Sequence, residues 1–177
     1  MAKWNLNTDH TTAAFSIRHL NILNIRGMFN SVKGVLTYNP GTSGDLGLEA
    51  VIDAKSVDTG TADRDAHLRS PAFFDVDKFP EITFRSTDAR LSGTNGTLSG
   101  DLTIHGVTRN ITLEVVLSGP VVAPPTMGRG TVLGIVARTT INRKDFGIDL
   151  NIPMEEGGVV MAWEVEVILE GEADLVA

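Results

Sequence analysis

The sequence contains no cysteine and few aromatic residues, and both shortages limit what the protein can be. Without cysteine, the 177-residue chain forms no disulfide and has no thiol chemistry. Phe, Trp and Tyr make up only 6% of the residues, whereas apolar residues together reach 42%, so a core would consist mainly of aliphatic side chains. From the length we expect a single domain spanning residues 1–177, with a core large enough to fold without cross-links.

Long apolar runs and basic clusters are also missing. No stretch of about eighteen apolar residues occurs. The opening residues, MAKWNLNTDH, lack the apolar run of a secretory signal. We therefore expect a cytoplasmic protein with no integral membrane segment. The formal net charge is −7 and comes with no basic stripe, which argues against nucleic acid as a partner.

The dominant positive feature is an alternation of apolar and polar residues with a period of two, which is typical of half-buried β-strands. About eight such segments follow one another, many of them separated by turn signals such as Asn39-Pro40-Gly41. This spacing predicts an antiparallel meander, and eight such strands can close into a barrel that has no exposed edges. Strand parity assigns one set of side chains to the inward face: Phe15, Ile17, Leu102, Ile104, Met161 and Trp163.

Two segments break the alternation. Residues 20–26 (LNILNIR) are compatible with one or two helical turns. Residues 61–70 (TADRDAHLRS) begin with Thr followed by acidic residues, an N-terminal helix signature, and Pro71 ends the segment. We therefore expect a helical insertion around residues 61–75 between two strands.

One strand has apolar residues on both faces. The segment MFNSVKGVLTY, taken as one continuous strand, has Met28, Val32, Leu36 and Tyr38 on the same face. That assignment depends on the alternation running through the segment without interruption.

The interior of an eight-stranded barrel is either filled by side chains or wide enough for one small ligand. The small aliphatic residues of the inward face favour a cavity, but a solid core remains an alternative at this stage. The insertion carries three aromatic side chains that could form one apolar end of a cavity, namely Phe73, Phe74 and Phe79. Beside them are three basic side chains that could contact a polar head group or simply be solvated, namely Arg64, His67 and Arg69.

Motifs of the common enzyme classes are missing. The chain has no phosphate-binding glycine loop, no serine nucleophile elbow and no paired histidine ligands. We expect a protein that is not an enzyme and that has no cofactor or bound metal. Two imidazoles remain as candidate bases: His19, at the end of an apolar strand face, and His67, in the insertion.

Two segments carry the most specific signature in the chain, RDAHLRSPAFFDVDKFPEITF (residues 64–84) and GDLTIHGVTRNITL (residues 100–113). With landmarks that run from Trp4 to about Glu170, the chain resembles the YceI-like family of lipocalin-like, polyisoprenoid-binding proteins. The resemblance implies an all-β, eight-stranded antiparallel lipocalin-like barrel with a helical insertion. It also implies an elongated apolar tunnel that holds a long-chain isoprenoid or similar lipid, and it is compatible with a homodimer.

The function implied by this resemblance is non-catalytic binding of a long apolar lipid, for carriage or sequestration. The lipid would be a polyisoprenoid, or an isoprenoid quinone or pyrophosphate. The alternatives are binding of a fatty acid or fatty amide, an enzyme that uses His19 or His67 as base, and an interaction module with a filled barrel. The residues expected to contact the ligand are Phe15, Ile17, His19, Phe29, Arg64, His67, Phe73, Phe74, Phe84, Leu102, Ile104, Met161 and Trp163.

Arg64 has two candidate roles within this scheme. It could pair with Asp65 and hold the insertion, or it could face a pyrophosphate or quinone head group. We favour the first role, because an arginine beside acidic residues usually pairs with one of them.

Overall fold

The computed structural model describes residues 1–41 and 46–176. The strands are β1 (Lys3–His19), β2 (Leu23–Phe29), β3 (Val32–Tyr38), β4 (Leu46–Asp53), β5 (Val57–Asp58), β6 (Glu81–Ser92), β7 (Asn95–Ile104), β8 (Val107–Val122), β9 (Thr131–Asn142) and β10 (Met161–Leu175). The helix α1 spans Ala62–Arg69, and short 3₁₀ helices span Ala54–Ser56, Pro125–Met127 and Arg143–Phe146.

All pairings between the strands are antiparallel, and β10 pairs with β1, so the sheet closes on itself. Strands β2 and β3 both lie along β1 and together form one wall of the barrel. Strand β5 continues β4 beyond a 3₁₀ turn and pairs with β2. The result is a closed eight-stranded antiparallel barrel, as predicted, and the described ranges contain one α-helix.

The two ends of the barrel differ in what they carry. The end that we call the upper end holds the β1–β2 and β7–β8 turns, the insertion between β5 and β6, and the connection between β9 and β10. The opposite, lower end holds the first residues of β1, the last residues of β10, and the β6–β7 and β8–β9 connections. None of the helices in the described ranges is long and apolar enough to cross a membrane.

The segment MFNSVKGVLTY is not one strand, so its predicted parity is wrong. Strand β2 ends at Phe29 and β3 begins at Val32, and both of these residues face inward, whereas Met28 faces outward with 43% of its surface exposed. The break arises because Asn30 and Ser31 leave the ladder with β1. The N–H of Asn30 donates to the carbonyl oxygen of Ser56, and the N–H of Ser31 donates to the side-chain hydroxyl of Ser56.

The prediction of helical turns at residues 20–26 is also wrong. Leu20 and Asn21 form a tight hairpin turn in left-handed backbone conformations, with φ of 51° and 59°. Strand β2 starts directly afterwards, at Leu23, which pairs with His19 of β1. Pairing with β1 satisfies the backbone of this short segment, whereas an isolated helix of that length is unstable.

The insertion contains a shorter helix than the segment 61–70 indicated. Thr61 is the N-cap residue but makes no side-chain capping bond, and Ser70 ends the helix by donating to the carbonyl oxygen of His67. The chain then continues in turns until β6 begins at Glu81.

Candidate functional site

The lower half of the barrel is solid. Trp4, Leu36, Leu98 and Leu133 point inward from four different strands, and each has 1% or less of its surface exposed. The indole nitrogen of Trp4 donates to the carbonyl oxygen of Tyr38 at 3.0 Å, so the largest side chain in this layer is also satisfied. Side chains buried to this degree are typical of an ordinary protein core.

The upper half of the barrel is not filled in the same way. Phe15 and Ile17 of β1 have the inward parity and pair with Val167 and Val165 of β10, yet all four remain partly exposed. Met161, farther up the same inward face, is partly exposed as well. Apolar side chains that face the interior but still contact solvent indicate that protein atoms leave space between them.

The opposite wall of the upper half is closer to fully buried. Ile82, Phe84, Leu102 and Ile104 of β6 and β7 have 5–8% of their surface exposed. The interior is therefore lined on this side by large apolar side chains, and it is more accessible on the side of β1 and β10.

The insertion closes one side of this interior with aromatic rings. The ring of Phe29 lies 5.9 Å from that of Phe15 and 5.4 Å from that of Phe74, between centroids. Phe73 is buried and packs edge-on against His67 at 5.0 Å. Phe15, Phe29 and Phe74 thus form a continuous aromatic contact that joins β1 and β2 to the insertion.

Thr59, rather than an Arg64–Asp65 ion pair, holds the start of the insertion. The Nε of Arg64 donates to the Thr59 hydroxyl at 2.7 Å, and its Nη2 donates to the Thr59 carbonyl oxygen at 2.8 Å. A carboxylate oxygen of the buried Asp65 accepts from both the N–H and the hydroxyl of Thr59. No salt bridge joins Arg64 to Asp65 in the described ranges, so the predicted structural role of Arg64 is met through Thr59 and not through the predicted pair.

The two candidate bases lie in different surroundings. His19 is the last residue of β1 and is partly buried. It pairs with Met161 of β10 on one side and with Leu23 of β2 on the other. His67 is an exposed residue of α1 whose ring contacts Phe73. Among the described residues, neither imidazole has a carboxylate as hydrogen-bond partner, and no cluster of three acidic or histidine residues is arranged to hold a metal ion.

Arg143 is the main feature of the upper end that the sequence did not reveal. Its side chain is 5% exposed, and its guanidinium donates to the carbonyl oxygens of Ala162, Ile148 and Leu150 at 2.9–3.0 Å. Burial lowers the pKa of Arg143 from its ordinary value, against an opposing effect of Asp149. A buried arginine that binds only carbonyl oxygens looks in sequence like any surface arginine, so no local signal could have found it.

Trp163 lies under two cations. The guanidinium of Arg143 and the ammonium of Lys144 are 4.5 Å and 4.7 Å from its ring centre. Trp163 is partly buried, and the pairing of β1 with β10 is irregular beside it, between Ile17 and His19, so its inward position stays a prediction.

A broad groove of about 1120 Å³ lies on the outer face of the barrel. Its lining combines charged side chains, such as Arg26 and Glu166, with apolar ones, among them Phe15, Val167 and Ile168. Because Phe15 and Val167 of the upper half are among the residues that line it, the upper half of the barrel is the candidate site.

A closed eight-stranded antiparallel barrel that is solid at one end and incompletely filled at the other has the architecture of lipocalin-like proteins. The chain belongs to the YceI-like family, because the model of the YceI-like domain matches residues 4–173. Among curated relatives, the UPF0312 protein YE1254 of Yersinia enterocolitica is 37% identical over 165 residues, which cover 93% of this chain and 81% of that protein.

Solved structures have the same fold. BcnA of Burkholderia cenocepacia superposes with a TM-score of 0.78 at 18% identity, over 94% of this chain and 98% of BcnA. A YceI protein of Campylobacter jejuni gives 0.72 at 28% identity, over 90% of both chains. A polyisoprenoid-binding domain from Saccharophagus degradans, implicated in plant cell wall breakdown, gives 0.72 at 14% identity, over 99% of this chain and 100% of that domain.

Proposed function

We propose that the protein binds one long apolar lipid, a polyisoprenoid or an isoprenoid quinone or pyrophosphate, inside the upper half of the barrel. The observation that carries the proposal is the change in burial along the barrel axis. Trp4 and Leu98 have 1% or less of their surface exposed, whereas Phe15 and Met161 are partly exposed. The polyisoprenoid-binding domain with the same fold supports the choice of lipid class.

The expected energetics favour a long chain over a particular head group. Each methylene moved from water into an apolar interior contributes about 0.8 kcal/mol. Affinity should therefore increase with chain length. Arg64 already donates to Thr59 at two positions, which reduces what it can offer to a charged head group.

Carriage or sequestration, without catalysis, fits this site best. A general base needs a partner that sets its orientation and protonation state, and neither His19 nor His67 has a carboxylate partner among the described residues. We include non-catalytic binding in the proposal for this reason.

Extraction of lipids from the purified protein, followed by mass spectrometry, tests the proposal. We expect a long-chain isoprenoid in a near-stoichiometric amount, recovered unchanged after incubation with the protein. Recovery of fatty acids or fatty amides would favour the alternative ligand class, and conversion of an added isoprenoid would favour an enzyme. If the protein carries no lipid and takes up none that is added, the proposal is wrong.

A further inference from the structure

The upper end of the barrel exposes five large aliphatic side chains on two connections. Leu20, Ile22 and Leu23 of the β1–β2 hairpin have 41%, 69% and 48% of their surface exposed. Leu150 and Ile152 of the β9–β10 connection have 42% and 62% exposed. We call these five residues the apolar rim. Isolated exposed aliphatic residues are common, but a cluster at one opening calls for an explanation.

The two connections are joined to each other. The N–H of Leu20 donates to the carbonyl oxygen of Val160 at 2.7 Å. The N–H of Val160 in turn donates to the carbonyl oxygen of Ile152 at 2.9 Å. Backbone hydrogen bonds thus hold the hairpin beside the β9–β10 connection, so the exposed side chains of both belong to one surface.

The β9–β10 connection is also fixed to the barrel. Buried Arg143 donates to the carbonyl oxygens of Ile148 and Leu150, and the side chain of Asn151 exchanges two hydrogen bonds with the backbone of Met161, at 2.6 Å and 3.1 Å. The exposed position of Leu150 therefore belongs to an ordered support. These hydrogen bonds fix the backbone that carries Leu150, so its side chain is held in the exposed position.

The hairpin holds its apolar residues outward at a conformational cost. Leu20 has a φ of 51°, a left-handed conformation that a bulky side chain rarely adopts. Asn21 follows with a φ of 59°, and Ile22 behind them is the most exposed residue of the rim. Strain of this kind is typically retained where it serves a function.

The rim continues into the proposed binding site. His19 pairs with Met161 directly below both connections, and the inward face descends from Met161 along β10. The rim therefore lies at the same end of the barrel as the inward residues proposed to contact the lipid. At the lower end, by contrast, Trp4 and Leu133 seal the interior, although Val122 and Met127 are exposed there.

The charges around the rim indicate which surface it fits. Asp149, Glu155 and Glu156 are exposed on the β9–β10 connection. Of the basic residues at this end, Arg18 donates to the carbonyl oxygen of Asn21 at 3.0 Å, and Lys144 of the connection lies 4.7 Å from the centre of the Trp163 ring. A surface that docks on anionic lipids carries clustered Lys and Arg, which is not the pattern here.

We propose that the apolar rim docks on the surface of a bilayer of uncharged, zwitterionic lipids and so loads or unloads the barrel. This inference rests on the proposed lipid-binding function. The aliphatic side chains insert at the level of the head groups, while the acidic residues of the connection stay in water. Docking in this orientation lets a lipid chain pass between membrane and barrel with little exposure to water.

The test compares two double variants of the full chain. Ile22→Ser with Ile152→Ser removes the two most exposed residues of the rim. Val122→Ser with Met127→Ser is the matched control at the lower end, where the exposed fractions are 80% and 54%. All four positions are exposed, so both variants should fold, and thermal unfolding checks this.

Three measurements are made on each protein: flotation with phosphatidylcholine vesicles, transfer of a long-chain ubiquinone from those vesicles, and retention of the same ubiquinone added directly from solvent. We expect the rim variant to lose about tenfold in flotation and in transfer rate, which corresponds to about 1.4 kcal/mol. The control variant should match the wild type. Direct retention should be equal in all three proteins.

The outcomes separate the two proposals. If no protein, the wild type included, retains ubiquinone added from solvent, the proposed function is contradicted. Flotation with vesicles would still test whether the rim docks on a bilayer. Equal flotation and transfer by the rim variant and the wild type would overturn the docking proposal. So would a wild type that sediments as a dimer through the rim and does not float, because the rim would then be an interface between two copies.

Discussion

At the scale of single residues, Arg129 forms the most buried ion pairs outside the candidate site, with Glu172 and Asp174. Its Nε donates to Asp174 at 2.7 Å, and its Nη1 contacts both Glu172 and His10, so the β8–β9 connection is tied to β10 and β1. Hydrogen bonds to Asp174 and Glu172 raise the pKa of Arg129. Burial alone would raise the pKa of Asp174, but hydrogen bonds from Arg129 and Asn7 outweigh it and hold that pKa below 3.8.

We expect Arg129→Ala to lower the free energy of unfolding at pH 7 by about 1–2 kcal/mol. Because the folded-state pKa of Asp174 is lowered, its contribution is complete above its ordinary value of 3.8 and is lost as the pH falls through the folded-state value. The difference between wild type and variant should therefore shrink at strongly acid pH. Urea unfolding at pH 7 and at about pH 3 measures it.

The matched control is Arg85→Ala. Arg85 pairs with Glu49 at 3.3 Å, but 78% and 65% of the two side chains are exposed. Such a surface pair contributes about 0–1 kcal/mol at most. A loss in Arg129→Ala that is no larger than in Arg85→Ala, or that is the same at both pH values, would contradict this account of Arg129.

The role of Arg64 is a second question at this scale. Because its guanidinium donates to Thr59, we expect Arg64→Ala to lower the free energy of unfolding by about 1–2 kcal/mol and to leave head-group preference unchanged. The measurement compares a prenyl pyrophosphate with the prenyl alcohol of the same tail length, in wild type and variant. A strong, salt-sensitive preference for the pyrophosphate that disappears in Arg64→Ala would instead make Arg64 a ligand contact.

At the scale of elements, the contact between β1 and β2 depends on one glycine. A Cβ on Gly27 would lie 2.4 Å from Cζ of Phe15 and 2.7 Å from Cγ2 of Thr59. The ring of Phe15 lies directly over the backbone of β2, where only hydrogen leaves room for it. This close approach sets the position of Phe15 in the upper interior.

We expect Gly27→Ala to lower the free energy of unfolding by about 1–3 kcal/mol, because the added methyl group overpacks this layer. Gly134→Ala in β9 is the control, since its nearest neighbour, Cβ of Ser118, lies at 3.4 Å, an ordinary contact. Urea unfolding of both variants gives the comparison. Equal stability of the two variants would mean that the Phe15 ring moves aside freely, and it would weaken the case for an ordered wall at this position.

The sequence predicted most elements because strand alternation is local. The inward faces of β7, β8 and β9 follow directly from their period of two, and the insertion followed from its helix signature and Pro71. The break at Asn30 was not predictable, because it depends on a hydrogen bond to Ser56, which lies far along the chain. The same is true of Arg143, whose partners come from two separate segments.

At the scale of the whole molecule, the two halves of the barrel differ in burial. Trp4 and Leu98 of the lower half have 1% or less of their surface exposed, whereas Phe15 and Met161 of the upper half are partly exposed. The insertion contributes Phe73 to the apolar core, and Phe74 packs against that core and contacts the ring of Phe29 in β2.

The most direct test of this division is a pair of tryptophan substitutions on one face of β7. Leu98 in the lower half has 0% of its surface exposed, and Leu102, four residues further up the same face, has 8%. For each variant, urea unfolding and the amount of long-chain isoprenoid retained per folded molecule are measured together. Leu98→Trp should overpack a full core, lower the free energy of unfolding by about 1–3 kcal/mol and leave retention unchanged. Leu102→Trp should stay within about 1 kcal/mol of the wild type and lose most of its retention, because the ring occupies the space of the lipid. A Leu102→Trp variant that is destabilised as much as Leu98→Trp, or that retains lipid as the wild type does, would contradict a lipid site in the upper half.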